Sequence, residues 1–268
     1  MKNRFAVSVF LFLSCLLPLF EGEALAEKGV LLPAPSIPIL LYHRFGPVAA
    51  DSMTIPTSIF ESHLKFLHDH AYTVIPVREL VDHYFKNRIP APPRSVAITV
   101  DDGHKSIYTD MLPLIKKYRI PVTLFLYPSA ISNASYAMNW DQFREIRETG
   151  FFDFQSHSYW HPNFKKEKEK LTAAEYEKFV ERQLKKSKET LEKKLHAQVD
   201  MLAWPFGIYD SWLMAKATEA GYRAAFTIDR RQATLSDQMT ALPRFLLTRA
   251  DQGEAFAGIL AGRHSQEI

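Results

Sequence analysis

Short apolar, β-branched runs alternate along this chain with segments of helical periodicity, and that alternation restricts the fold more than any other feature. Strand-like runs recur at 39–42, 73–76, 95–100, 122–127, 152–155, 199–204 and 224–228. Between them the apolar spacing predicts helices over 58–70, 77–87, 105–118, 140–148, 171–196 and 210–220. A strand joined to the next through a helix returns in the same direction, so the expected sheet is parallel. About seven such strands, with functional side chains at their carboxyl ends, point to a distorted, incomplete (β/α)7 barrel in the α/β class.

Two runs 55 residues apart carry the chemistry. Asp101-Asp102-Gly103-His104 follows the β-branched stretch Ser95-Val96-Ala97-Ile98-Thr99-Val100 and so sits at a strand's carboxyl end. Adjacent strand residues point opposite ways, so one carboxylate can bind a metal while its neighbour faces substrate. His157-Ser158-Tyr159-Trp160-His161 follows the apolar stretch Phe151-Phe152-Asp153-Phe154. Its two imidazoles, four residues apart, can converge on one ion, and a His-His-carboxylate set leaves positions open for water and substrate. Each run alone is weak, since Asp-Asp-Gly is commonly a turn and paired histidines are commonly structural. Position 158 is Ser, so the pair lacks the Glu of a His-Glu-x-x-His zinc protease.

Together, Thr99-Val100-Asp101-Asp102-Gly103 and Ser156-His157-Ser158-Tyr159-Trp160-His161 resemble the first two signatures of the polysaccharide deacetylase family, carbohydrate esterase family 4, also known as the NodB-homology domain. The resemblance extends from about Pro38 to Arg249 and implies that fold. It also implies Asp101 as general base and Asp102, His157 and His161 as ligands of one divalent metal ion, zinc first, with cobalt, nickel or iron as alternatives. Amide hydrolysis needs an activated water, a stabilised oxyanion and a proton for the amine. For the proton, Ile39-Leu40-Leu41-Tyr42-His43 resembles the family's last signature moved to the amino-terminal end, which makes His43 the candidate acid; His264 is its rival. That displacement resembles the permuted branch that de-N-acetylates poly-β-1,6-N-acetylglucosamine of biofilm exopolysaccharide.

Leu202-Ala203-Trp204-Pro205-Phe206-Gly207 resembles the third signature, Arg-x-Pro-Tyr-Gly, with Ala203 where typical members carry the Arg that orients the base. No copy of the fourth signature follows Thr227-Ile228-Asp229, and Arg244 is the candidate to replace the lost charge. The N–H of Phe206 is a candidate oxyanion donor, and Tyr159, Trp160, Trp204, Phe206 and Tyr209 are candidate sugar platforms. The expected activity is N-deacetylation of an acetylated polysaccharide. The alternatives are an O-acetyl esterase, a peptidoglycan or chitin deacetylase, and a noncatalytic carbohydrate-binding relic.

Residues 1–26 carry a basic start, an apolar run and Ala24-Leu25-Ala26, the pattern of a cleaved export signal, so a periplasmic or extracellular location is expected. An uncleaved anchor is the alternative. The single cysteine, Cys15, lies inside that segment, leaving no disulfide in the mature chain. Residues 27–37 form an extended, Pro-containing lead-in and 38–268 the catalytic domain, a composition of 47% apolar and 24% charged residues fitting one globular unit. A net charge of +3, without clustered Lys/Arg and stacked aromatics, argues against a nucleic-acid partner. A monomer with no membrane span after cleavage is expected. Lys and Glu are dense over 165–194, but Leu171, Phe179, Val180, Leu184, Leu191 and Leu195 form a buried stripe, so the charge is read as a solvated face rather than a dock for an anionic polymer.

Overall fold

Successive side chains on a strand point to opposite faces, and in this protein the two faces feed two different cores. The computed structural model describes residues 36–263. The export segment with Cys15, the lead-in up to residue 35, and His264 lie outside the described residues. The strands are β1 (Ile39–Tyr42), β2 (Arg44–Gly46), β3 (Thr54–Pro56), β4 (Thr73–Val74), β5 (Ser95–Asp101), β6 (Val122–Leu126), β7 (Phe152–Ser156), β8 (Met201–Ala203), β9 (Ala224–Phe226) and β10 (Phe245–Leu246). The helices are α1 (Thr57–Asp69), α2 (Val77–Glu79), α3 (Leu112–Tyr118), α4 (Trp140–Glu148), α5 (Phe164–Lys170), α6 (Ala173–Leu195), α7 (Ser211–Glu219) and α8 (Glu254–Leu260).

Seven strands form one curled parallel sheet in the order β10-β1-β5-β6-β7-β8-β9. Leu40, Tyr42, Val96, Ile98, Val100, Leu124, Leu126, Phe154 and Leu202 pack outward, into the cluster that holds Phe60, Leu64, Ile115, Phe143, Leu184 and Leu213 of the surrounding helices. Ile39, Ala97, Phe125, Met201, Ala203, Ala224 and Phe226 take the other parity and fill the inside of the curl. Inside they meet Leu80, Val81, Tyr84 and Phe85 of the π-wound segment Leu80–Lys86. His43, Asp101 and His157 continue the inward parity of β1, β5 and β7.

The sequence expectation of a parallel, incomplete barrel holds, but its seventh strand is a different one. The run at 73–76 yields only β4, which pairs with the start of β5 and stands off the main path. The seventh place goes to β10, whose two residues follow Leu242-Pro243-Arg244 and carry no strand periodicity of their own. Leu242 bridges Phe226 beside β9, and Phe245 and Leu246 pair with Leu40 and Leu41 of β1. The segment therefore crosses from the last strand to the first, with Arg244 at the crossing. The long helix expected from 171 begins at Ala173, because the Thr172 side chain accepts from Glu175 N–H while the Glu175 carboxylate accepts from Thr172 N–H.

At the amino-terminal ends of the strands, opposite the site, Asp200 pairs with Arg78 at 3.0 Å and with Arg223 at 2.8 Å. Arg223 also reaches Asp82. These buried and half-buried charges tie α2 and the π-wound segment to the strands.

Candidate active site

Each chemical group sits where a parallel strand ends. His43 follows β1, Asp101 closes β5 with Asp102 next, His157 follows β7, and Phe206 lies three residues past β8. Asp102, Ser158, His161 and Phe206 adopt left-handed φ values of 76°, 63°, 60° and 57°. Such backbone costs on the order of 1–3 kcal/mol per residue and persists only where the surroundings enforce it. Here Asp102 N–H donates to Phe125 O at 3.0 Å and His161 N–H to Ser158 Oγ at 3.2 Å. Gly103 (φ 77°) explains the end of the Asp-Asp-Gly run: a Cβ there would lie 2.9 Å from Leu126 and 3.0 Å from Phe143.

Asp102, His157 and His161 offer three donor atoms within 4.8 Å of one another. Asp102 Oδ1 is 3.8 Å from His157 Nε2 and 3.9 Å from His161 Nε2. His157 Nδ1 lies 2.8 Å from the Ala203 carbonyl, which only accepts, so Nδ1 carries the proton and Nε2 presents a bare lone pair. Burial pulls the His157 imidazole down to about 3 and lowers His161 as well, so both stay neutral and able to ligate. Burial, reinforced by the neighbouring Asp101 charge, pushes Asp102 up to about 7. A divalent cation among these donors would favour its ionised form, so the donor set fits a metal ion of the zinc type.

Asp101 is committed elsewhere. Its two oxygens accept from Arg244 Nη1 and Nη2, both at 2.8 Å, with the carboxylate 2% and the guanidinium 0% exposed. Arg244 is fixed by donating to Thr227 O at 3.0 Å and Thr99 Oγ1 at 3.2 Å, and it lies over the rings of Phe125 and Phe226. Burial alone would raise the Asp101 carboxyl, but Arg244, with help from His157, overrides it and holds it at about 2. Ala203 packs in the same inner cluster as Phe125 and Phe226, so the cation missing from β8 is supplied inside the barrel from the crossing segment. His43 lines the same cavity, and burial brings its imidazole down to about 4 against the pull of Asp101. Its buried Nδ1 has no partner among the described residues, unlike a histidine that merely caps a strand.

A family model described as polysaccharide deacetylase matches residues 88–225, just over half of the chain. The chain belongs to the polysaccharide deacetylase family. It is 27% identical over 200 residues to the poly-β-1,6-N-acetyl-D-glucosamine N-deacetylase of Staphylococcus aureus, covering 73% of this chain and 68% of that protein. The Streptococcus pyogenes deacetylase PplD, solved in complex with acetate, superposes with a TM-score of 0.75 at 21% identity, over 85% of this chain and 99% of that one. IcaB from Ammonifex degensii gives 0.72 at 22% identity, over 84% and 97%. The two structures share the fold of this deacetylase, a polysaccharide N-deacetylating enzyme. His43 and Arg244 both lie outside the span that the family model matches.

The deacetylase's central cavity, about 540 Å³, is lined by His43, Asp101, Asp102, His157, His161, Trp204 and Phe206 among others. Phe206 is 56% exposed and meets His161 edge-on at 4.5 Å, whereas Trp204 is fully buried and donates Nε1–H to Thr240 O. Tyr159 and Trp160 are not among the lining residues: Lys186 sits 4.1 Å above the Tyr159 ring, and Trp160 packs on Phe179. Tyr209 donates to Asp229 at 3.0 Å and likewise stands outside this cavity. Sequence reasoning missed Arg44, His104, Tyr127 and Tyr136, which form another part of the wall. Tyr127 was legible in principle. It continues the inward parity of Thr123 and Phe125 between the strands bearing Asp101 and His157, and its ring lies 5.3 Å from His161. Its hydroxyl bonds that of Tyr136.

Proposed function

We propose that this enzyme is exported and removes N-acetyl groups from poly-β-1,6-N-acetylglucosamine, with Asp102, His157 and His161 holding one divalent ion, zinc first. The observation that carries this reading is the convergence on one cavity of a metal-type donor triad, an Arg-paired carboxylate and a histidine with an uncommitted nitrogen. The name of the S. aureus relative supports the sugar and linkage. When bound, the ion supplies a water of lowered pKa, from roughly 16 to about 7, and polarises the acetyl carbonyl. Asp101, held ionised by Arg244, accepts the proton of the attacking water. Phe206 N–H donates to the developing oxyanion, with the Phe206 and Tyr127 rings excluding bulk water. His43, neutral at rest, takes up a proton from solvent as the negative charge of the intermediate stabilises its imidazolium form and delivers it to the departing nitrogen, while Asp101 returns the water's proton to solvent once the amine has left.

Both titrating partners sit low, Asp101 at about 2 and His43 at about 4, which makes each a poorer catalyst at neutral pH than an ideally tuned group. The lowered His43 favours one second reading, an O-acetyl esterase, because an ester's leaving oxygen needs less protonation than an amine. Acetate release from β-1,6-linked and β-1,4-linked N-acetylglucosamine oligomers and from an O-acetylated xylan, with and without added zinc or cobalt, separates the readings. Release from the β-1,6 oligomer only in the presence of metal is expected; release from the ester alone would replace the proposal with the second reading.

The export segment 1–26 and lead-in 27–37 belong to this proposal, together with a mature chain that begins at Glu27. Among the described residues no helix is long and apolar enough to cross a membrane. Mass spectrometry of the exported protein tests the cleavage site.

A further inference from the structure

A second cavity, about 410 Å³, opens between α5, the start of α6 and the start of α7. Ile208, Tyr209 and Leu213 give it an apolar wall, while Lys165, Lys168 and Glu169 stand on its rim. It is continuous in the chain with the catalytic cavity: Phe206 lines the first, and Ile208, two residues on, lines the second. Two residues span at most about 7 Å, so the walls of the two cavities come within that distance of each other here.

Tyr176 distinguishes this cavity from an ordinary surface dent. It lines the cavity with its ring buried, and its hydroxyl, which is not one of the buried atoms left without a partner, makes no hydrogen bond to the described residues. The ring is held rigidly, stacked on Trp212 at 5.4 Å and on Phe179 at 6.3 Å, so the hydroxyl cannot turn away to find a partner. A hydroxyl that makes no protein hydrogen bond can exchange the water of the cavity for a ligand hydroxyl. On the rim, Lys168 is engaged by Asp210 at 3.4 Å, but Lys165 and Glu169 carry no ion pair among the described residues. An apolar wall, one uncommitted phenol and free rim charges of both signs suit a pyranose ring, whose apolar face and hydroxyl edge need those two surfaces at once.

We propose that this cavity is a distal subsite holding a non-reacting sugar unit of the same aminosugar polymer whose acetyl group is cleaved in the central cavity. The inference rests on the polysaccharide reading of the central site and adds to it a second point of attachment. Binding energy from such a remote unit raises kcat/KM for long chains without touching the chemistry on short ones.

The test measures kcat/KM for acetate release from β-1,6-linked N-acetylglucosamine oligomers of increasing length, using metal-reconstituted full-length enzyme and its Tyr176→Phe and Lys165→Ala variants. Isothermal titration of the longest oligomer onto the same three proteins accompanies it. Wild-type kcat/KM rises with length, and Tyr176→Phe lowers the value for the longest oligomer by about 3- to 10-fold while leaving the shortest unchanged, the size expected for one hydrogen bond. Equal losses on short and long oligomers, or an unaltered length dependence in both variants, would overturn the subsite. If no oligomer releases acetate, the central reading falls on its own. In that case weaker oligomer binding by Tyr176→Phe upholds the subsite, and unchanged binding overturns it.

Discussion

Replacing Arg244 by Ala strikes the feature on which the proposed base depends. The change removes both 2.8 Å bonds to Asp101, the bonds to Thr227 O and Thr99 Oγ1, and the cation lying over Phe125 and Phe226. What remains is a carboxylate 2% exposed with no partner cation, beside a second carboxylate. Breaking a buried pair this way costs about 3–5 kcal/mol. A Coulomb energy of about 4 kcal/mol for unit charges 4 Å apart at an effective dielectric constant of 20 falls in the same range. At about 2–4 °C per kcal/mol for a domain of this size, Tm should drop by about 6–20 °C. Loss of the oriented base should lower kcat by about 100-fold or more, the scale of a 1 Å misplacement. Arg244→Lys keeps a charge but not the two-pronged geometry and should recover part of the Tm and little of the rate. Returning a cation from β8, by Ala203→Arg in the Arg244→Ala background, should restore measurable activity. Acetate-release kinetics and thermal melts on the wild type, these three variants and Asp101→Ala decide it. If Arg244→Ala keeps wild-type kcat while Asp101→Ala abolishes turnover, Arg244 does not position the base.

Stripping the enzyme with a chelator should abolish acetate release and lower Tm, with zinc, cobalt or nickel restoring both; activity surviving metal removal, verified by elemental analysis, would refute the role of Asp102, His157 and His161. Gly103→Ala forces a Cβ to within 2.9 Å of Leu126 at a φ of 77°, so a loss of about 1–3 kcal/mol in denaturant unfolding should accompany a fall in metal affinity. Asp200→Ala leaves Arg78 and Arg223 without their shared carboxylate at the opposite end of the barrel, and should cost about 2–3 kcal/mol of stability with kcat unchanged. His63 is neutral in the fold: its Nε2 lies 2.6 Å from the Asp251 carbonyl and so carries the proton, Nδ1 accepts from Tyr42, and burial lowers the imidazole to about 4. The unfolded chain takes up that proton below about 6.5, before the native state does, so stability should fall by up to about 3 kcal/mol as pH drops from 6.5 to 4. His63→Gln should reduce that slope in urea melts without abolishing it, because His43 and His157 are also held neutral by burial.

Local chemistry determined much of this protein. Strand–helix alternation dictated a parallel, incomplete barrel. The abrupt ends of the runs at 95–100 and 152–155 put Asp101, Asp102, His157 and His161 at strand ends, because residue parity and turn-forming glycine act within a few positions of the chain. The strand at 73–76 and the unpredicted β10 mark where that logic stops. A two-residue strand is stabilised by its neighbours β1 and β9 rather than by its own sequence.

Only the tertiary structure decided which cation faces the base and which aromatics face the cavity. Arg244 lies 143 positions from Asp101, and no periodicity links them; the crossing segment's path from β9 to β1 does. Trp160 and Tyr159 sit beside a metal-type histidine in sequence yet turn to Phe179 and Lys186, while Tyr127, remote from both runs, enters the cavity wall. Sequence specifies what a residue can do and which side of its own strand it occupies. Which groups meet across the barrel depends on how the sheet curls and closes, a property of all its strands together.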